Sequence, residues 1–322
     1  MTVAAAGAGP TVWLTACAHG DEVGGMIVIQ EVFRRLKRNP LLCGDVRAFP
    51  LMNPMGFEVG SRQISMGGED LNRSFPGNQH GSLAQRIAAT IFQEILQTGP
   101  ALVLDLHNDW RNSIPYAVID PQRKAAHREA YARTRRFARS TGLLLVEESS
   151  RSSESLVSHK TLTGSLLLRD IPAICLELGE AYVVNETNVD YGVRVIWNLL
   201  SELGMVATQQ TPFEYELHRE CRRRFLAYSD GALSSTSGII RFLVKPGDLV
   251  AAGQPVAKIY NAFGKLLETV VTAQRAVVLG HSDSSVAFPG VPVVALGLLE
   301  PTTRAASATD AADPANTTAR RE

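Results

Sequence analysis

The segment TACAHGDEVGG, residues 15–25, places an imidazole and a carboxylate three positions apart, directly after an apolar run. These two residues are His19 and Glu22. Imidazole nitrogens and carboxylate oxygens are common zinc ligands in proteins. A single His-x-x-Glu pair also fits a loop followed by a helix cap, so the segment alone does not decide between the two interpretations.

Two further strand-like segments end in side chains of the same kind. TVWLTACA leads into His19, ALVLDLH ends at His107, and AICLELG carries Glu177 near its end. Because parallel strands present their carboxyl ends at one edge of a sheet, we expect two imidazoles and two carboxylates to meet there. Taken singly, His107 also fits a structural histidine at a strand end, and Glu177 also fits a buried acid paired with an arginine.

The joint pattern favours a catalytic zinc site. Two histidines and one glutamate, with a fourth position open for water, form such a site in known enzymes. We therefore predict one Zn²⁺ per chain, with His19, Glu22 and His107 as its ligands. The second carboxylate, Glu177, is then free to act as a general base on the activated water.

A long polar segment lies between the first two of these strands, directly before the helix pattern at 82–96. Residues 54–81 are rich in glycine and turn-forming residues, and a structureless connection of that length is usually functional or disordered. The segment contains GEDLNRSFPGN, with Asp70, Asn72 and Arg73. A polar loop that leaves a strand lies where open α/β sheets bind ligands.

Strand and helix patterns alternate over the first two-thirds of the chain. The apolar runs predict strands over 11–18, 46–53, 101–107, 116–120, 143–148 and 173–179, and the helical periodicity predicts helices over 26–38, 82–96, 122–141 and 187–203. This alternation predicts an α/β fold with a mixed, mostly parallel sheet and helices on both of its faces.

The pattern changes after about residue 204. Short β-rich runs broken by turn sequences such as KPGD and AAGQP predict a smaller C-terminal all-β domain. We place the catalytic domain at 11–205 and the β-rich domain at 206–300. Residues 1–10 are small and featureless and are expected to be flexible, and residues 301–322 lack large apolar side chains and are expected to form a disordered tail.

The overall composition excludes several classes of partner. Lys plus Arg and Asp plus Glu number 32 each, so the formal net charge is zero and nothing favours nucleic acid or an acidic membrane. No apolar run approaches the length of a membrane span, and no signal peptide is visible. The four cysteines are widely separated without a CxxC pair, which is typical of a reducing cytoplasm.

Five motifs together resemble those of a known family. HGDE, NPMGFEVGSR, DLNRSFPG, LDLH and ICLELG occur in an order and spacing similar to those of the succinylglutamate desuccinylase/aspartoacylase family. The resemblance covers roughly residues 11–299 and implies a zinc-carboxypeptidase-like fold followed by a smaller C-terminal domain. It also implies zinc-dependent removal of an acyl group.

The resemblance assigns roles to residues that spacing alone leaves open. It implies that Arg62 polarises the scissile carbonyl and stabilises the oxyanion, and that Asn72 and Arg73 grip a substrate carboxylate. Asp70 matches an acid that orients the first zinc-binding histidine. The segment Asn-Asp-Trp at 108–110 matches no motif, and we expect it to shape the acyl pocket. The resemblance also implies the same ligands and base as the residues themselves, namely His19, Glu22, His107 and Glu177.

The sequence therefore predicts hydrolysis of the amide bond in an N-acylated amino acid or a related small molecule. The acyl group (acetyl, succinyl or similar), the amine half and the pathway are left open, and a homo-oligomer is compatible with the sequence. One alternative is a metallocarboxypeptidase acting on short peptides, which a β domain covering the mouth of the cleft disfavours. Another is an inactive binding protein on the same fold, which the intact set of site residues disfavours.

Overall fold

The computed structural model describes residues 1–122, 124–148 and 160–299, and these residues form an α/β core extended by antiparallel strands. The strands are β1 (Thr2–Ala4), β2 (Thr11–Ala16), β3 (Asp45–Phe49), β4 (Leu102–His107), β5 (Asn112–Ser113), β6 (Pro115–Ile119), β7 (Leu144–Glu147), β8 (Ala173–Leu178), β9 (Phe225–Leu233), β10 (Gly238–Phe242), β11 (Leu249–Val250), β12 (Pro255–Tyr260), β13 (Leu266–Val271), β14 (Ala276–His281), β15 (Val286–Ala287) and β16 (Pro292–Leu298). The helices are α1 (Gly24–Arg38), α2 (Pro54–Val59), α3 (Leu83–Gln97), α4 (Arg128–Ser140), α5 (Leu162–Leu167) and α6 (Glu186–Glu202).

Most strands belong to one mixed sheet. Its order is β1-β3-β2-β4-β8-β6-β7-β9-β16-β14-β11, and β5 pairs with β14 beside this path. The neighbours β3, β2, β4 and β8 are parallel, whereas β6 runs antiparallel to β8. The predicted fold class is confirmed, and the site-bearing strands β2, β4 and β8 lie side by side.

Helices cover both faces of the sheet because consecutive strand residues point to opposite sides. Leu14 and Leu104 face a core formed with α1, α4 and α6. Their neighbours Trp13 and Val103 face a second core formed with α3 and α5. Each core is built from the apolar face of amphipathic helices, so β2 and β4 are buried on both sides and form a rigid base for the residues at their ends.

The C-terminal strands continue the main sheet. Strand β9 pairs in parallel with β7, and β16, β14 and β11 follow it in antiparallel order. Tyr116 and Val146 share a core with Leu226 and Leu279, across the predicted boundary. A second sheet, β13-β12-β10-β15, lies in the same C-terminal region. The division into a catalytic domain at 11–205 and a β-rich domain at 206–300 stays a prediction.

The first residues of the segment 1–10, which is predicted to be flexible, form a strand in the structure. Thr2–Ala4 forms the edge strand β1, which pairs antiparallel with β3, and the N-terminal ammonium donates a hydrogen bond to the Ala48 carbonyl at 2.8 Å. Backbone hydrogen bonds on the open edge of β3 stabilise this segment, and they require no particular side-chain pattern. The predicted tail at 301–322 lies outside the described residues. Among the described residues, none of the helices combines the length and the apolar character needed to cross a membrane.

The segment 54–81, expected to be a loop, contains a short helix and a 3-10 turn. Helix α2 begins after Asn53, whose side chain accepts a hydrogen bond from the Gly56 backbone, and Pro54 occupies the first turn. It ends at Gly60, which has a left-handed φ of 59°. The 3-10 turn, Leu71–Arg73, follows Asp70, whose side chain accepts a hydrogen bond from the Asn72 backbone N–H. These two elements fix the course of the segment past the carboxyl edge of β2.

Candidate metal centre and active-site cavity

The candidate ligands lie at one edge of the sheet, where β2, β4 and β8 end. His107 is the last residue of β4 and lies directly opposite Glu177 of β8 in the parallel register. The chain after β2 reaches His19, and the following turn brings Glu22 back beside it. The arrangement follows from the parallel strand order, which puts all of these side chains at the carboxyl edge.

His19, Glu22 and His107 form a compact, buried triad. The Nδ1 atom of His19 lies 2.6 Å from Oε1 of Glu22, and the Nδ1 atom of His107 lies 2.7 Å from Oε2. One ligand atom from each residue lies within 4.8 Å of the other two. Their relative exposures are 3%, 5% and 2%. The donor set could hold a metal ion.

The outer nitrogens of both histidines face carboxylates. Nε2 of His19 lies 3.2 Å from Oδ1 of Asp70, and Nε2 of His107 lies 3.0 Å from Oδ2 of Asp105. These contacts favour the tautomer in which Nε2 carries the proton, as inferred from the hydrogen-bond network. Each Nδ1 then has a lone pair directed towards Glu22, which is the arrangement that metal-binding histidines adopt.

Asp105 is a site residue that the sequence analysis missed. Its Oδ1 accepts a hydrogen bond from the Thr15 hydroxyl of β2 at 2.7 Å, so the carboxylate is fixed from two sides. The signal was available in the motif LDLH, because residues two apart in a strand point to the same face.

The electrostatic environment of the triad stabilises a positive charge that lies among its three side chains. Burial alone would raise the pKa of Glu22, but the two imidazoles hold that pKa well below its usual range. Burial likewise opposes protonation of His107, yet Asp105 and then Glu22 raise the pKa of this imidazole well above its ordinary value. A site that stabilises cationic imidazoles in the absence of an ion has the electrostatic character required to hold a divalent cation.

Arg62 and Asp70 border the triad on one side. Nη1 of Arg62 lies 3.4 Å from Oε1 of Glu22 and 3.3 Å from Nδ1 of His19, and Nη2 lies 3.2 Å from Oδ2 of Asp70. Burial opposes ionisation of Asp70, but its hydrogen bond to His19 and the charges of His19 and Arg62 lower its pKa. The Arg62 side chain is 47% exposed, so its guanidinium also faces the open side of the site.

Asn72 and Arg73 follow Asp70 in the 3-10 turn. The carbonyl oxygen of the Asn72 side chain accepts a hydrogen bond from the Leu162 backbone at 3.0 Å, and its nitrogen lies 3.3 Å from Nε2 of His107. Nη1 of Arg73 donates to the backbone carbonyl of Asn72 at 3.0 Å. Only the amide nitrogen of Asn72 is therefore available to an additional acceptor.

Glu177 faces the triad from β8. Its Oε1 accepts a hydrogen bond from the Cys175 thiol at 3.4 Å, and its buried Oε2 has no hydrogen-bond partner among the described residues. Burial, and next the nearby carboxylate of Asp109, raise the pKa of Glu177 to about 8. A carboxylate with a raised pKa and an unused oxygen is suited to accept a proton near neutral pH.

A cavity of about 400 Å³ opens beside these residues. Every predicted site residue except Asp70 lines it, and Asp70 instead contacts His19 and Arg62 as described above. The cavity also has wall residues that the sequence did not single out, namely Asp21, Tyr116, Cys175, Tyr182 and Asp283. Asp109 and Trp110, from the segment predicted to shape the pocket, line it as well.

Fold and site together define an α/β protein with a candidate metal centre at the carboxyl edge of its sheet. Residues 8–203 match the family model described as the succinylglutamate desuccinylase/aspartoacylase catalytic domain. The chain belongs to this family, a family of deacylases.

A curated relative and two solved structures show how far the similarity extends. N-alpha-acetyl-L-2,4-diaminobutyric acid deacetylase of Halomonas elongata is 29% identical over 270 residues, which are 81% of this chain and 73% of the relative. A succinylglutamate desuccinylase/aspartoacylase from Rhodobacter sphaeroides has a TM-score of 0.75 at 24% identity, covering 91% of this chain and 86% of that one. The product-bound ectoine utilization protein EutE (DoeB) of Ruegeria pomeroyi has a TM-score of 0.77 at 20% identity, covering 92% and 87%. These two structures share the fold with this chain.

Proposed function

We propose that this protein is a zinc-dependent amidohydrolase that removes an acyl group (acetyl, succinyl or similar) from an N-acylated amino acid or a related small molecule. The observation that carries the proposal is the buried His19–Glu22–His107 triad beside the unpartnered carboxylate oxygen of Glu177, within one cavity. The curated deacetylase relative supports the reaction class.

Zinc is the proposed metal because the donor set is two imidazoles and one carboxylate. The facing Nδ1 atoms of His19 and His107 and the carboxylate of Glu22 would hold it, and the contacts to Asp70 and Asp105 keep both rings in the required tautomer. When bound, the ion supplies Lewis acidity that polarises a carbonyl group and makes water more acidic.

Glu177 is the proposed general base. Its free Oε2 accepts the proton of the attacking water and then delivers that proton to the leaving amine. The raised pKa suits both halves of this transfer, because a strongly acidic group would accept the proton poorly, whereas a strongly basic group would return it slowly.

Arginine side chains are proposed to stabilise charge on the substrate. Arg62, whose guanidinium borders Glu22, would donate hydrogen bonds to the oxygen that becomes negative as water adds to the carbonyl. Arg73, together with the amide nitrogen of Asn72, would bind a free carboxylate on the amine half. The cavity volume of about 400 Å³ suits such a small molecule.

The test is a substrate panel with zinc-loaded and chelator-treated protein. N-acetyl and N-succinyl amino acids should be hydrolysed only by the loaded protein, and short peptides should be hydrolysed much more slowly. Preferential release of C-terminal residues from peptides would instead identify the metallocarboxypeptidase alternative. Stoichiometric zinc without hydrolysis of any member would favour the binding protein.

The cytoplasmic location also stays a proposal. It is supported by the four cysteines, all of which are free thiols, because reduced cysteines are typical of that compartment. The proposed partner is the small-molecule substrate, and a homo-oligomer stays an expectation for solution measurements.

A further inference from the structure

The cavity wall contains polar atoms that the proposed reaction does not use. Among the described residues, the buried side-chain atoms without a hydrogen-bond partner include Oδ1 of Asp21 and Nε1 of Trp110, as well as Oε2 of Glu177. All three residues line the same cavity. Buried polar atoms in folded proteins almost always have a partner. The role proposed for Glu177 accounts for its free oxygen, but Asp21 and Trp110 are left without an explanation.

Two further carboxylates lie in the same wall. Asp109 follows His107 closely in the chain, and Oδ2 of its carboxylate accepts a hydrogen bond from the buried Tyr116 hydroxyl. Asp283 comes from the C-terminal strands, and its Oδ1 accepts the Arg111 backbone N–H at 2.7 Å. Both carboxylates are therefore held in fixed positions by neutral donors.

Among the described residues, no cationic side chain forms an ion pair with this wall, and the charges of Arg62 and Arg111 act on Asp109 and Asp283 only from a greater distance. Asp21, Asp109 and Asp283 have no Lys, Arg or His nitrogen within the 4.0 Å that defines an ion pair here, counting only the residues that the structure describes. Arg62 is engaged with Glu22 and Asp70. The guanidinium of Arg111 lies over the Tyr182 ring, 4.8 Å from its centroid.

Asp21 and Asp109 are partly buried, and a carboxylate that is partly removed from water is stabilised by a nearby positive charge. We infer that the amine half of the substrate carries a second positive charge, an ammonium group, held by Asp21 and Asp109. Asp283, in the same cavity wall, adds further negative charge. The same molecule offers carbonyl and carboxylate oxygens to the Trp110 indole N–H. This inference rests on the proposed function and specifies its substrate class.

A matched pair of probes isolates the ammonium group. Nα-acetyl-L-2,4-diaminobutyrate carries it, and N-acetyl-L-norvaline has a methyl group of similar size in its place. The first compound is the one for which the Halomonas elongata relative is named. The ratio of kcat/KM between the two probes therefore measures recognition of the charge.

The variants Asp109→Asn and Asp21→Asn keep the side-chain shape but remove the charge. A hydrogen bond to a charged group contributes about 1.5–3 kcal/mol, so we expect the wild type to prefer the cationic probe by roughly 10- to 100-fold. Each variant should lower this ratio by about tenfold. The matched control is Asp190→Asn, an exposed helix carboxylate outside the cavity, which should leave the ratio unchanged.

Equal use of the two probes by the wild type, or a ratio that both cavity variants leave unchanged, would overturn the inference. Zinc content is measured for every variant, since Asp21 and Asp109 lie close to the proposed ligands. Binding of both probes to the Glu177→Gln protein by calorimetry separates this inference from the proposed function. If no probe is hydrolysed, the proposed function fails, whereas the affinity ratio still decides whether the wall selects a cation.

Discussion

At the scale of single residues, the site divides its polar groups between the proposed metal ion and the proposed substrate. His19 and His107 turn one nitrogen towards Glu22 and the other towards a carboxylate of its own, Asp70 or Asp105. Glu177, across the register from His107, has one oxygen without a hydrogen-bond partner among the residues that the structure describes. This division means that ligand, base and substrate-binding variants should fail in different ways.

The histidines are expected to control metal content. His19→Ala or His107→Ala leaves only two protein ligands, and removal of an outer partner alone already costs roughly 10- to 100-fold in metal affinity. Each variant should therefore lose zinc on dialysis and lose activity with it, as measured by elemental analysis. His80→Ala, an exposed histidine, is the control. Near-stoichiometric zinc in either ligand variant would contradict the assignment.

Glu177 is expected to control rate without controlling metal. Glu177→Gln should retain zinc and the folded state while kcat falls roughly 10²- to 10⁴-fold, the contribution typical of general-base catalysis. Glu180→Gln is the matched control, because Glu180 instead accepts hydrogen bonds from Asn185 and Asn188. Near-normal turnover by the Glu177 variant would show that this residue is structural.

Arg73 is expected to recognise a free carboxylate on the amine half. Arg73→Lys keeps the charge but loses the planar fork, so it should still weaken the use of free-acid substrates. Arg73→Ala and amidation of the substrate carboxylate should each lower kcat/KM by a similar factor, and the two losses should not add, because both remove one interaction. Equal use of acid and amide by the wild type would place Arg73 outside the substrate site.

At the scale of elements, a short strand pairing positions part of the cavity wall. Strand β5 pairs with β14, and this pairing joins the chain that directly follows the segment at 108–110 to the C-terminal strands. His281 of β14 supports the junction, because its Nε2 donates to the Val244 carbonyl at 2.9 Å and its ring stacks on Phe242 with centroids 3.9 Å apart. Its Nδ1 lies 3.4 Å from the Asn112 amide nitrogen, which suits a neutral ring that accepts there.

His281 is expected to make stability depend on pH. Burial lowers its pKa below 6.5, so the unfolded chain binds the proton more readily than the folded one. Its stabilising contribution is therefore present above pH 6.5 and is lost as the pH falls from there towards the folded-state pKa, with a slope of at most about 1.4 kcal/mol per pH unit.

Urea unfolding of zinc-free wild type and His281→Gln on both sides of pH 6.5 measures this term. Other titrating groups cancel in the difference between the two proteins, because they are common to both. The free energy of unfolding of the wild type should fall more steeply with acid than that of the variant. Parallel pH profiles would assign the acid sensitivity to other groups.

At the scale of the whole molecule, the main sheet and a core cross the predicted domain boundary. Strand β9 covers the edge of β7, and Leu226 and Leu279 pack with Leu144 and Val146. Each large apolar side chain that becomes exposed costs on the order of 1.5–3 kcal/mol. Exposure of several such side chains would therefore cost a large part of the free energy of unfolding of a typical domain, which is about 5–15 kcal/mol.

A fragment ending at residue 205 is therefore expected not to fold alone. It should aggregate or unfold without a cooperative transition, whereas the full chain should show one sharp thermal transition by calorimetry. Coexpression of 1–205 with 206–322 as separate chains serves as the control, since it restores the missing strands. A monomeric 1–205 fragment that melts cooperatively and binds zinc would show that the predicted catalytic domain folds independently.

Much of the fold and the candidate triad follow from local features of the sequence. His19 and Glu22 are three residues apart, His107 ends an apolar strand, and alternating strands and helices indicate a parallel sheet. Each of these signals lies within a short window, where side-chain periodicity reports secondary structure directly. Parallel strand order then places the three ends at one edge, so the site could be predicted without coordinates.

Apart from residues 108–110, the cavity wall was decided by the tertiary structure. Strand β6 runs antiparallel to β8, which places Tyr116 opposite Glu177 and lets its hydroxyl bind Asp109. Asp283 meets Arg111 from 172 positions away in the chain. Strand β1 forms because β3 has an open edge, although its own sequence shows no strand pattern. Pairings between distant segments depend on shape and backbone hydrogen bonds, which leave no periodic signal in the sequence.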